Sequence, residues 1–159
     1  MGPDLYPDLK PLAFLLGAWE GGGEGRYPTV SPFAYRESLS FEHVGDDFLL
    51  YALESWSLED GEPLHFERGF LRPGASPEAV ELTLAHPLGL VEISEGTLDG
   101  TSLELRSATV GRTRTGDAVT GVARRYRVEG DVLRYELDMA MEGVPMTRHL
   151  DGELHRASS

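Results

Sequence analysis

Five histidines and one arginine carry most of the chemistry open to this chain. His43, His65, His86, His149 and His155 are scattered along it, and only the last two stand close together, a spacing too weak to mark a zinc site on its own. Each imidazole could be an acid, a base or a metal ligand, or equally a hydrogen-bonded core or surface residue. On 79–86 the apolar parity Val80, Leu82, Leu84 ends at His86, opposite Glu81 and Thr83, which points an imidazole inward near a strand end. The pattern Thr120, Val122, Arg124, Tyr126, Val128 does the same with a guanidinium. A buried charge needs a partner. For Arg124 that is either an inward glutamate such as Glu37 or Glu54, or an anion such as a ligand carboxylate at a cavity mouth.

Other chemistries lack their residues. There is no cysteine, hence no disulfide, thiolate metal site or cysteine nucleophile. No Walker A lysine, Gly-x-Ser-x-Gly elbow or His-Glu-x-x-His occurs, so hydrolase chemistry has no anchor. A net charge of −13 and a pI near 4.7 argue against nucleic acid as a partner, because phosphate recognition needs clustered Lys and Arg. The N-terminus has no signal-peptide pattern, and no apolar run approaches the ~18 residues of a membrane helix. A cytoplasmic protein with no membrane association is the expectation.

The elements that must position these residues read as all-β. With 159 residues and no linker, the chain fits one domain, 1–159. Residues 8–16 read as a short helix, with Asp8 as cap, Pro11 in the first turn and Gly17 as stop. Beyond it, short Val-, Leu-, Phe-, Tyr- and Thr-rich runs alternate with turn signals. They place strands near 17–27, 33–44, 48–58, 64–72, 79–86, 89–97, 101–108, 109–115, 118–129, 131–142 and 146–156, with 101–115 also readable as one bent strand. About ten antiparallel strands in an up-and-down meander close most readily into a barrel, which removes exposed edges and begins to enclose a cavity.

The first strand is unusual. Trp19, Gly21, Gly23, Gly25 and Tyr27 share one parity, so two aromatics bracket three bare positions on one face. Such a run marks either a bend that closes the barrel or a close approach of a ligand or another backbone. It is not a nucleotide loop: Gly21-x-Gly23 is followed three residues later by Arg26, and a helix precedes it.

Gly17-Ala18-Trp19-Glu20-Gly21-Gly22-Gly23, extended through Tyr27-Pro28-Thr29, resembles the G-x-W-x-G-x-G motif of the nitrobindin family. Three further landmarks agree in order: Leu64 to Arg72 with its His-x-Glu-x-Gly-aromatic core, His86-Pro87-Leu88-Gly89 with Val91-Glu92, and the stretch from Leu133 to Arg156. The resemblance spans essentially the whole chain. It implies a lipocalin-like or fatty-acid-binding-protein-like barrel of ten strands that holds one haem b, as a monomer or homodimer. His149 is then similar to the axial ligand of the iron. His65 and His86 line the haem pocket, Met139 lies beside them and Thr29 lies near the cofactor. With its inward parity, Arg124 would be a reasonable propionate partner in such a pocket. The implied activity is ferric haem binding nitric oxide and converting peroxynitrite to nitrate. On this reading the glycine face gives a flat macrocycle room against the wall, with Trp19 or Tyr27 closing the cavity floor. The alternative is a non-enzymatic carrier of a fatty acid or other apolar molecule, with Arg124 taking the carboxylate.

Simple alternation groups His149 with Thr147, Asp151 and Glu153, away from Leu150 and Leu154, and so puts the expected ligand outside. A bulge, or a haem at the rim, would reconcile parity with the resemblance. Asp151 would then be a candidate carboxylate for orienting the imidazole.

Overall fold

The computed structural model describes residues 2–157; the domain bounds expected at 1 and 159 lie outside them. Ten strands follow one helical segment: β1 Gly17–Tyr27, β2 Val30–His43, β3 Leu49–Ser57, β4 Pro63–Pro73, β5 Ala79–His86, β6 Leu90–Asp99, β7 Ser102–Arg112, β8 Val119–Glu129, β9 Val132–Met141 and β10 Val144–Arg156. Each pairs antiparallel with its neighbours in sequence, and β1 pairs with β10, so the sheet is a closed up-and-down barrel. The segments expected at 101–108 and 109–115 are the single strand β7. Its bend is a register step opposite β6, where Ile93 faces Thr109 but Ser94 faces Ser107, leaving Ala108 as the extra residue.

The N-terminal segment Pro7–Leu15 is a 3₁₀ helix. Leu9, Leu12 and Leu15 recur every third residue, which in a three-per-turn helix forms one face, and all three are buried. Asp8 is not its cap; Tyr6 holds that position without a side-chain hydrogen bond. The helix covers one end of the barrel. There the Trp19 indole donates to the Leu15 carbonyl at 2.9 Å. The Arg156 guanidinium stacks 4.2 Å over the same ring and donates to the Leu16 and Phe14 carbonyls. A cationic side chain thus satisfies carbonyls that the helix end leaves free. Among the described residues no helix is long and apolar enough to cross a membrane.

The glycine face is filled by the protein itself. In one row across four strands, Tyr35 pairs with Gly23, Gly23 with Gly152, and Gly152 with Tyr135. The two tyrosine rings lean over the glycines and their hydroxyls hydrogen-bond to each other. A Cβ at Gly152 would overlap the Tyr135 ring, one at Gly25 the Phe33 ring, and ones at Gly21 and Gly23 the Glu153 and Asp151 carbonyl oxygens. The room made by the missing side chains goes to these rings and to close strand approach, which corrects the expectation that a macrocycle occupies it. Trp19 lies at the packed end under the helix, so it is not a cavity floor, and Tyr27 sits at the opposite end of β1. Gly23→Ala is expected to cost about 2–3 kcal/mol, because backbone has to move; a lower urea midpoint with an unchanged slope would register it.

Candidate functional site

The end of the barrel opposite the helix holds a cavity of about 610 Å³. Its rim comes from the turns that follow β1, β3, β5, β7 and β9. All six residues expected to hold a cofactor, Thr29, His65, His86, Arg124, Met139 and His149, line this one space, whereas Gly17, Trp19, Gly21 and Gly23 do not. The motif glycines and Trp19 therefore build the wall and the closed end, and the site residues come from five different strands and a turn.

His149 is the extra residue of a bulge. On β10 Arg148 pairs with Asp138 and Leu150 with Leu137, so two residues advance on one strand for one on the other. The slip lets His149 and Leu150 both reach the cavity, which alternation alone forbids. The ring stands edge-on to Tyr27 and Phe33 at 5.2 and 6.2 Å between centroids. Its Nδ1 lies 3.0 Å from the Arg26 carbonyl oxygen. A carbonyl can only accept, so Nδ1 carries the proton and Nε2 keeps a free lone pair. Burial lowers the pKa of His149, with the nearby His65 adding to it against the pull of the Arg26 hydrogen bond. The imidazole is thus neutral at neutral pH, the form that binds a metal. Asp151 does not touch it. That carboxylate takes the side chains of Arg26 and Arg148 at 2.7 and 3.0 Å, and the orienting group is the Arg26 carbonyl.

Across the barrel lies a dense polar network centred on Arg124, whose side chain is 3% exposed. Neither Glu37 nor Glu54 is its partner: Glu54 pairs with Arg68 at the surface. Arg124 instead grips two buried carboxylates, each through two nitrogens. Nη1 and Nη2 donate to Glu67 at 3.1 and 2.9 Å, and Nε and Nη2 donate to Glu92 at 3.0 and 2.7 Å. Nη1 also reaches the Tyr126 hydroxyl. These five contacts match the five N–H groups of a guanidinium. The structure leaves Arg124 no donor for a propionate, and the carrier alternative loses its carboxylate partner for the same reason.

Both carboxylates are further tied. Tyr51 donates to Glu67 at 2.8 Å and Ser94 to Glu92 at 2.6 Å. Burial alone would raise their pKa values, but Arg124 and the neighbouring histidines more than reverse this, holding Glu67 well below the carboxylate range and Glu92 down to about 2. His65 and His86 hang from the network: His65 Nε2 lies 3.1 Å from Glu67 Oε2, and His86 Nε2 lies 3.1 Å from Glu92 Oε1. Reading by residue type missed Glu67, Glu92 and Tyr51 as site residues. The signal was present, since Glu67 shares the parity of His65 and Glu92 that of Leu90 and Ser94, yet an inward glutamate gains meaning only once its arginine is known.

A closed barrel with a large cavity, and a neutral, backbone-anchored imidazole aimed into it, defines a ligand-binding barrel with one prepared metal donor at the rim. Residues 8–156 match the model of the THAP4-like, heme-binding beta-barrel domain, and the chain belongs to that family. It is 45% identical to peroxynitrite isomerase 2 of Mycobacterium marinum over 99% of this chain and all of that protein. It is 46% identical to peroxynitrite isomerase 2 of Mycobacterium avium over 98% of this chain and 99% of the other. The crystal structure of Rv2717c from M. tuberculosis superposes with a TM-score of 0.90 at 44% identity, covering 98% of this chain and 100% of that one.

Proposed function

We propose that this chain is a ferric haem b protein that isomerises peroxynitrite to nitrate and also binds nitric oxide, with His149 Nε2 as the axial donor to the iron. The observation that carries this reading is the bulge at His149, which turns a neutral imidazole into the cavity with its other nitrogen fixed by Arg26. Family membership and the names of the full-length relatives support the cofactor and the reaction.

When bound, ferric haem supplies a Lewis-acidic iron with a coordination position open to a small anion. Around it the chain has three tasks. Tyr27 and Phe33 hold the His149 ring edge-on, and the Arg26 carbonyl sets its tautomer, as outer partners of metal-bound imidazoles do. Leu64, Leu90, Leu137 and Met139 give the cavity an apolar lining that receives a macrocycle and limits water. Thr29 stands exposed at the mouth, where it would meet a polar edge of the cofactor. Peroxynitrite and nitrate have the same atoms and charge, so their interconversion requires no net proton or electron from the protein. A site whose ionisable side chains are nearly all committed to one another suits that reaction. The reading describes a single-domain cytoplasmic protein, as a monomer or homodimer.

Hemin titration followed by absorbance tests it. A saturating one-to-one Soret shift is expected for the wild type, with affinity at least ~100-fold weaker in His149→Ala. Loaded wild-type protein should speed peroxynitrite decay in stopped flow and yield nitrate. A Soret shift indifferent to the substitution would overturn the axial assignment, and decay no faster than with free hemin would overturn the activity.

A further inference from the structure

Across the cavity from His149, one possible ligand atom from each of His65, Glu67 and His86 lies close to the other two. His65 Nε2 is 3.1 Å from Glu67 Oε2 and 3.1 Å from His86 Nδ1, and His86 Nδ1 is 3.4 Å from Glu67 Oε2. With a neutral His86, hydrogen bonding leaves this triangle one donor short. Glu92 Oε1 already accepts from Arg124, and Glu92 is held as an acceptor on its other oxygen by Arg124 and Ser94. His86 Nε2 must therefore donate to it, which leaves His86 Nδ1 as a bare acceptor when the ring is neutral. Nδ1 then faces the Glu67 carboxylate, a second acceptor, and His65 has at most one Nε2 proton to share between them.

A metal ion satisfies all three at once. Nitrogen and carboxylate ligands about 2.0–2.2 Å from a divalent ion lie roughly 2.9 to 3.5 Å from one another, in octahedral or tetrahedral arrangement. The three edges fall in that range. Glu67 has the capacity as well: Oε1 takes Tyr51 and Arg124, while Oε2 takes only one bond from Arg124 besides the histidine. The charges agree, since one arginine faces two ionised glutamates and the network is one negative charge in excess. Glu92 behind His86 is the carboxylate–histidine arrangement that fixes an imidazole for a metal. All three ligand residues line the cavity, so further coordination positions open onto it.

We propose that His65 Nε2, Glu67 Oε2 and His86 Nδ1 form a second metal centre, a two-histidine, one-carboxylate site for a divalent transition-metal ion, with its open positions toward the cavity. Two histidines and one carboxylate suit zinc and non-haem ferrous iron. β5, which carries His86, lies five strands from β10 in a ten-stranded ring, so this centre shares no ligand residue with the His149 donor, although both face the same cavity.

Calorimetric titration of the full-length, untagged protein with Zn²⁺ tests the assignment. One saturable ion per chain is expected, retained in His149→Ala. Affinity should fall about 10–100-fold in Glu92→Gln, which touches no metal but frees the His86 tautomer, and further in His65→Gln. His65 is partly exposed at 27%, so that variant keeps the buried network and folds, which far-ultraviolet dichroism verifies. Zn²⁺ should raise the Tm of the wild type and of His149→Ala but not of His65→Gln. Absence of a saturable site in the wild type overturns the proposal, as does binding unchanged in His65→Gln or abolished in His149→Ala.

Discussion

Replacing Arg124 with methionine is expected to destabilise the fold by about 3–5 kcal/mol, the range for removing one member of a buried charged network. At 159 residues this corresponds to a fall in Tm of roughly 6 to 20 °C. Five N–H contacts disappear, and two carboxylates, 3% and 1% exposed, are left without the cation that keeps them ionised. The sign of the pH dependence separates this cause from simple loss of packing. In the wild type Glu67 and Glu92 have folded pKa values below their unfolded ones. The stability they add is present above about pH 4.5 and is lost as pH falls through the folded values, near 2 for Glu92. Without Arg124, burial dominates and their folded values rise above the unfolded ones. The variant should therefore gain stability as pH falls from 7 toward 4.5, where the wild type stays flat with respect to these two groups. Urea unfolding at pH 5 and 7 decides the matter: an Arg124→Met deficit equal at both values would mean that the lost side-chain packing, and not the stranded charge, sets the cost.

The same network shows where sequence reasoning ran out. Alternation on β5 and β8 put His86 and Arg124 inside, and both are there, because period two is set by the pleat and holds wherever strands are regular. Closure into ten strands followed from the count and spacing of turns. What alternation could not supply was register. The partners of Arg124 sit on β4 and β6, 57 and 32 residues away in sequence, and only the stagger of a closed barrel brings them level. Bulges are the second blind spot. One extra residue at His149 reverses the face of a side chain without leaving a local mark, since Arg-His-Leu reads equally well as regular strand. The resemblance to a haem-binding family pointed to a residue that does line the cavity, where parity would have discarded it. The glycine face shows the converse: its parity was plain, but its occupants, Phe33, Tyr35 and Tyr135, come from β2 and β9, and their contact depends on pairings across β1 and β10.

Glu37→Gln is expected to stabilise the protein at alkaline pH, by a few kcal/mol. Glu37 points into the cavity from β2, is 5% exposed, and its Oε1 has no hydrogen-bond partner among the described residues. Burial first, and the charge of Glu67 next, raise its pKa to about 8, against the pull of Tyr135 and Arg124. A carboxyl group whose folded pKa lies above its unfolded value of about 4.5 keeps its proton in the fold while the unfolded chain loses it. Stability therefore declines as pH rises from about 4.5 to 8 and levels off beyond, a cost that reaches up to about 5 kcal/mol on the alkaline plateau. Glutamine keeps the shape and cannot ionise, so the gain should be near zero at pH 5 and largest at pH 9, read from urea midpoints across that range. Equal pH slopes in both proteins would show that Glu37 is already ionised at neutral pH. The proton has a consequence for the proposed reaction. A neutral Glu37 leaves the neighbouring buried network of Glu67, Glu92 and Arg124 with one negative charge in excess, whereas an ionised Glu37 doubles that buried excess in a medium of low dielectric. An anionic substrate then enters less readily. Peroxynitrite consumption by haem-loaded wild type should accordingly slow above pH 8 relative to Glu37→Gln, and equal profiles for the two would detach Glu37 from substrate entry while leaving its effect on stability in place.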